Sequence, residues 1–397
     1  MVRLAVLFAF GAAFAAGPPP LEITGYSIFF DRQKEGYRSS SAAAELRGDK
    51  LVLVFQKASD DEAGLFPMVA ETYDWGRAWS NPERWLPGYF TGRPQEFLTL
   101  SPFGPTSRGT SLVAGYRTLK AVRDGKYRED VRWRPGELLI GRMPKGSAGY
   151  AMRRYPAGTF LGEQFVAPGL MLPGGRIVLT LWGAKRQGDN WQAGVLLSDD
   201  DGAGWRYRVV GPPCPREMRD DPEMPVGFNE QTLFAAGGNT LVSLLRARAK
   251  LGRIPDSPRD TWFFRSESRD GGETWSAPEP TNLAGTGAPS SGITLPDGSL
   301  VMAARIPYSR SVYKLAVPGA FGLHIVRSFD LGRTWRTEHI LDKGPDGRVF
   351  DNHYNAMNGQ FLPLSGAEWI YLFGEFRHKE DVHRTLAVRL RFSEAKR

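Results

Sequence analysis

Ser268-Arg269-Asp270-Gly271-Gly272-Glu273-Thr274-Trp275 is one of four copies of the pattern Ser/Thr-x-Asp-x-Gly-x-x-Trp in this chain. The others run from Thr72 to Trp79, Ser198 to Trp205 and Ser328 to Trp335. Each reads as a tight turn with a stated chemistry. The Asp carboxylate and the Ser/Thr hydroxyl satisfy backbone N–H groups inside the loop. Glycine supplies a backbone angle that other residues resist. Tryptophan then folds its apolar body back onto a sheet.

The four starts are separated by 126, 70 and 60 residues, so the long interval holds one repeat without the motif. A second pattern agrees. Short apolar runs follow glycine-containing turns at Gly48, Gly109, Gly175, Gly238, Gly298 and Gly366, with steps of 61, 66, 63, 60 and 68 residues. A period of that size, built from short β-rich runs, is the mark of a propeller blade. A lone blade cannot bury both of its faces, so neighbours stack around an axis. The composition fits, with 46 Gly and 29 Pro for turns and 23 Phe, 13 Tyr and 11 Trp for packing between blades. The expected fold is therefore all-β: a six-bladed propeller of four-stranded antiparallel blades. It occupies one domain, residues 21–397, closed by a strand from Leu21 to Phe30 pairing with the last blade. The charged stretch from Arg117 to Lys145 reads as a decorated blade or a long surface loop.

The motif is the Asp-box, and the chain resembles the sialidase-like (neuraminidase, BNR-repeat) superfamily of β-propellers. In that superfamily the box shapes blades and lies away from the active site, so it speaks for fold more than for activity.

Residues 1–16 read as a signal peptide: Arg3, an apolar core from Leu4 to Phe14, and an Ala13-Phe14-Ala15 cleavage signal. The expected location is secreted, periplasmic or in the cell envelope. No apolar run is long enough for a transmembrane segment. Cys214 is the only cysteine, so stability must come from the core and the closed sheet. The five histidines form no HExxH or Cys/His cluster, which predicts no metal and no cofactor. His378 and His383 lie on a charged segment and read as solvated. The net charge of +8 is dispersed rather than gathered into a stripe, which argues against nucleic acid and suits an acidic glycan.

The sharpest local signal is Phe228-Asn229-Glu230-Gln231-Thr232, with Leu244-Leu245-Arg246 beyond the next glycine turn. Glu230 and Arg246 are 16 residues apart and bracket a strand, a turn and a strand. An antiparallel pair of that length brings both to one rim. In the resemblance this hairpin carries a catalytic Glu and an arginine of the substrate-binding triad, with Gln231 here where Pro is usual. A substrate bearing a carboxylate on its anomeric carbon wants guanidinium groups in bidentate geometry. It also repels a carboxylate nucleophile, and sialidases use Tyr instead. By order along the chain, the resemblance implies Tyr354 as nucleophile and Glu230 as its base. It implies Asp61, chosen over Asp60, as acid/base. The triad becomes Arg38, Arg246 and Arg310, the last preferred to Arg305. Ser39-Ser40 stands where Ile-Pro is expected.

The resemblance thus implies a secreted glycoside hydrolase, an exo-α-sialidase-like enzyme acting on sialic or related acidic sugars with retention. The alternative is a non-catalytic propeller serving as a glycan-binding, adhesion or envelope assembly module. A third reading keeps the carboxylates without the arginine triad and predicts activity on uncharged or uronic-acid glycans.

Overall fold

The computed structural model describes residues 21–39, 42–56, 63, 66–90, 93–127, 135–214, 227–247, 253–254, 257–285, 291–306, 322–350, 359–365, 367–377 and 382–392. The leader expected at residues 1–16 lies outside the described residues.

Six antiparallel sheets form the blades of a propeller. Blade one is Ala42–Arg47, Lys50–Gln56, Pro67–Thr72 and Glu83–Arg84, innermost strand first. Blade two is Glu96–Phe103, Ser111–Leu119, Gly136–Met143 and Ala151–Tyr155. Blade three is Phe165–Met171, Ile177–Gly183, Gln192–Ser198 and Arg206–Gly211. Blade four is Phe228–Ala235, Leu241–Ala247, Ser257–Ser268 and Glu279–Gly285, with Arg253–Ile254 paired to its third strand. Blade five is Gly292–Thr294, Leu300–Ile306, Gly322–Ser328 and Arg336–Leu341. Blade six takes Gly359–Ser365, Glu368–Arg377 and Val382–Phe392 from the end of the chain. Its outer strand is Leu21–Phe30, in a register running from Leu21 opposite Phe392 to Phe30 opposite Thr385. The charged stretch of blade two holds the end of one strand, a small hairpin (Val122–Arg123 with Lys126–Tyr127) and the next strand.

The second strands are the most apolar, as in Ile177-Val178-Leu179-Thr180-Leu181, because each is covered on both faces by neighbouring blades. Leu179 faces blade two and Val178 faces blade four. Innermost strands line the axis with small residues such as Ala42, Ala43, Ser101 and Gly292.

The four repeated turns join third to fourth strands, on the face of the disc opposite the candidate site. In the turn of blade four, the Ser268 hydroxyl donates to Asp270 Oδ1 at 2.8 Å and accepts from the Gly272 amide at 2.8 Å. Asp270 Oδ1 also accepts from the Thr274 amide at 2.9 Å. The glycine is held by two constraints at once. Its φ is +89° at Gly76, +80° at Gly202, +94° at Gly272 and +82° at Gly332. An added Cβ would also press on the preceding blade, 2.9 Å from Phe29, 3.0 Å from Leu112, 3.0 Å from Leu197 and 3.3 Å from Val242 respectively. Arginines of the preceding blade grip three of the turns: Arg142 Nε donates to the Asp201 carbonyl, Arg176 Nη1 to that of Gly271 and Arg265 Nε to that of Leu331. The turn therefore works between blades as well as within one. Its Trp completes the seam: Trp335, 2 % exposed, packs against Phe234 of blade four with ring centroids 5.8 Å apart.

These contacts predict two stability effects. Trp335→Ala should cost about 3–5 kcal/mol in urea unfolding, the usual loss for a large buried aromatic. The second concerns Asp270. Burial pushes its carboxyl up, but hydrogen bonds from the Thr274 hydroxyl and amide and from Ser268 outweigh this and hold it at about 2. Its stabilisation is thus present above pH ~4 and lost as pH falls toward its folded value. Asp270→Asn should lower stability at neutral pH and flatten the acid limb of the curve between those limits.

Candidate active site at the channel mouth

The axis encloses a cavity of 420 Å³ lined by the innermost strands of all six blades. The face carrying the links from second to third strands forms its mouth. Glu230 opens onto this cavity from blade four. The reason is a β-bulge: Phe228 pairs with Ala247 and Gln231 with Leu245, so Asn229 and Glu230 together oppose Arg246. Bulges re-aim side chains in this way. The Glu230 carboxylate accepts a hydrogen bond from Arg246 Nη1 in an ion pair whose side chains are 33 and 21 % exposed. Gln231 points elsewhere. Its Nε2 donates to the Gly194 carbonyl of blade three at 2.6 Å, and its Oε1 accepts from the Ser243 hydroxyl. It is a stitch between blades.

Register shows what sequence order alone did not. In blades one, three, four and five, the second strand has one residue opposite the Ser or Thr of the repeated turn. These are Leu51 facing Thr72, Ile177 facing Ser198, Leu241 facing Ser268 and Leu300 facing Ser328. Counting five residues on from each arrives at Gln56, Trp182, Arg246 and Arg305. Trp182, Arg246 and Arg305 are each half-buried at the sixth place of a strand whose other six residues are buried. They occupy one position in three consecutive blades, at the mouth. Arg305, passed over in sequence for Arg310, is thus the counterpart of Arg246. Trp182 was missed altogether, and lining up the three strands LVSLLRA, LVMAARI and IVLTLWG would have found it.

Arg38 lies on the same face at the junction of blades six and one. Ser39 next to it docks onto blade six through its amide to the His383 carbonyl and its carbonyl to the Thr385 hydroxyl. Arg38 Nη1 sits 3.4 Å from His383 Nε2. Arg38 thus sits at the seam of blades six and one, whereas Glu230 and Arg246 stand on blade four. His383 itself corrects the sequence reading. It is 2 % exposed rather than solvated, because the Phe376 ring packs on it at 4.3 Å. His324 is fully buried too, and that burial pushes its imidazole down to about 4. Asp61, Arg310 and Tyr354, along with Asp60 and His378, lie outside the described residues. Among the described residues, no group of three or more His, Cys, Asp or Glu is placed to hold a metal ion. None of the described helices is long and apolar enough to cross a membrane.

Fold and site together define a β-propeller whose axial cavity is bordered by Glu230 and by the rings of Tyr116 and Trp182. Residues 151–361, more than half of the sequence, match the BNR repeat-like domain family, and the chain belongs to it. Among solved structures it is similar to Trypanosoma rangeli sialidase in complex with the inhibitor DANA, at 14 % identity and a TM-score of 0.58, covering 94 % of this chain and 60 % of that one. The chain thus spans less than two thirds of the trypanosomal protein. A Penicillium chrysogenum α-L-arabinanase complexed with arabinobiose is similar at 12 % identity and TM-score 0.56, covering 94 % of this chain and 99 % of that one. The α-L-arabinofuranosidase Arb93A from Fusarium graminearum, with an iminosugar inhibitor, has 12 % identity and TM-score 0.58 over 94 and 99 % of the two chains. At such identities the likeness is one of fold. No curated protein matches the sequence.

The ion pair is part of the mouth and little of the fold. Partly exposed pairs contribute about 0–1 kcal/mol, so Glu230→Gln should shift the urea midpoint by no more than that energy. Such a variant reports on the site with the scaffold intact.

Proposed function

We propose that this chain is an exported glycoside hydrolase that removes a terminal acidic sugar of the sialic acid type with retention of configuration. The observation that carries this reading is the placing of Arg246 and Arg305 at one register position in adjacent blades, with Glu230 aimed beside Arg246. Two guanidinium groups at equal depth suit a carboxylate, which they bind through paired, charge-assisted hydrogen bonds. The structurally similar propellers include sialidases and arabinan-cleaving enzymes, so cleavage of a glycosidic bond is the chemistry their names have in common. The leader read at residues 1–16 supports export.

In this reading Tyr354 Oη attacks the anomeric carbon while Glu230 accepts the phenol proton, because a free Tyr with a pKa of ~10 holds little phenolate at neutral pH. Asp61 protonates the departing glycosidic oxygen. It then takes a proton from the water that cleaves the tyrosyl intermediate. Arg246 and Arg305 hold the sugar carboxylate, and Arg38 closes the triad from the seam of blades six and one. Arg310 serves as the comparison for Arg305.

The test is release of a fluorophore from an aryl α-sialoside. Turnover is expected to collapse in Tyr354→Phe. In Arg246→Ala and Arg305→Ala, kcat/KM should fall by about 10–150-fold, the equivalent of one charged hydrogen bond of ~1.5–3 kcal/mol. Arg310→Ala should stay near wild type. A folded protein inactive across a pH series would instead favour the glycan-binding module.

A further inference from the structure

The seam between blades five and six holds a charged cluster at its mouth end, apart from the Glu230–Arg246 pair. On the face of blade six turned toward blade five, Phe373 and Leu386 pack with Val301 and Ile325. Two residues nearer the mouth on the same strands, that face carries Glu375 and Arg384, opposite each other in register. Glu375 is fully buried, and its two carboxylate oxygens accept from Arg377 Nε and Arg384 Nε. Arg384 then reaches out of the blade, its Nη2 donating to Asp346 Oδ2 at 2.6 Å. Arg377 Nη2 donates to the Arg348 carbonyl at 3.2 Å. Asp346 and Arg348 belong to a tight hairpin, Asp342 to Phe350, in the connection from blade five to blade six. Its arms are joined by bonds from the Gly344 amide to the Arg348 carbonyl and from the Phe350 amide to the Asp342 carbonyl, both 2.8 Å. Tyr26 of the outer strand holds one arm, donating to the Lys343 carbonyl at 2.8 Å. Phe350 ends the other arm, buried and 5.9 Å from the Arg377 guanidinium. Burial pushes the Asp346 carboxyl up, but hydrogen bonds from Arg384 and the Arg348 amide outweigh this and hold it below the usual carboxylate range.

Tyr354 follows Phe350 by four residues and precedes Gly359, which borders the axial cavity, by five. Four residues of chain reach no further than about 14 Å. We propose that Glu375, Arg377, Arg384 and Asp346 form a clamp that fixes where the connection between blades five and six enters the mouth, and so positions Tyr354. A buried carboxylate between guanidinium groups gains little cohesion over an apolar filling, and its best use is to specify one arrangement. The hairpin needs that. Between Asp342 and Val349 it holds only polar residues, Gly and Pro, so apolar packing cannot hold it in one place. The clamp stands on its own contacts, and its service to Tyr354 rests on the function proposed above.

The experiment compares the full chain with Asp346→Ala, Glu375→Gln and, as control, Asp297→Ala. Asp297 pairs with the buried Arg327 at the opposite face of the disc, and its side chain is 29 % exposed, as is that of Asp346. Each protein is read by thermal unfolding, by kcat and KM on the aryl α-sialoside, and by hydrogen exchange of peptides spanning 342–358. A small misplacement of a reacting group costs up to about 100-fold. Asp346→Ala and Glu375→Gln should therefore lower kcat by about 10–100-fold, leave KM within about twofold and quicken exchange across 342–358. Asp297→Ala should lower the melting temperature comparably, yet keep kcat and the exchange of that segment. Should wild type cleave no sialoside while exchange still quickens in the clamp variants, the clamp is upheld and the nucleophile reading fails. Unchanged exchange across 342–358 in a folded Asp346→Ala overturns the clamp. So does a kcat that, in an active enzyme, falls no further than in Asp297→Ala.

Discussion

Everything in this molecule hangs on a glycine pressed against the blade before it. A propeller has no layer outside its blades to hold them in place, so the seams between sheets must carry the cohesion. At four seams the repeated turn supplies it. The positive φ folds the loop tightly enough for the glycine to touch the preceding sheet, and the Trp that follows fills the wedge behind. Blade six has no such turn toward blade five. There the buried Arg327 reaches across instead, its guanidinium 5.2 Å from the centre of the Phe392 ring. With the seams fixed on one face, the opposite face is free to vary its connections without loosening the ring.

This division explains what could be read from the sequence. The repeated turn is local, its chemistry lies within eight residues, and its spacing counts the blades. Closure by Leu21–Phe30 followed from the need to cover a sheet edge. The Glu230–Arg246 pairing was legible because one hairpin carries both residues. The bulge that aims Glu230 was not, since an extra residue in a strand leaves no compositional trace. Order along the chain favours Arg310, which lies outside the described residues, and says little about register, whereas the residue facing the turn's Ser or Thr fixes Arg305 to the position of Arg246. His383 misled for a related reason. A charged stretch suggests solvent, but Phe376 and the docking loop at Ser39 cover it.

The mouth is asymmetric although the scaffold is repetitive. One strand pattern presents Trp182, then Arg246, then Arg305, so moving around the axis changes the chemistry on offer without changing the geometry. A site of this kind needs no special loop to acquire a new preference. A single substitution at the sixth place of a second strand replaces a flat apolar surface with a cation, or the reverse, at the same depth.

The outer strand of blade six has a consequence for how the chain reaches its final state. Leu21–Phe30 leaves the ribosome before any of the six blades exists, yet its partner, Val382–Phe392, follows the other five blades in the sequence. Contacts of such separation form late, because the intervening chain must order first. The ring is therefore an open arc until the last strand of blade six is in place, with one unpaired sheet edge waiting at its end. A latch of this kind cannot shut before the last blade has formed, so the sheet edge it covers is the last to be protected.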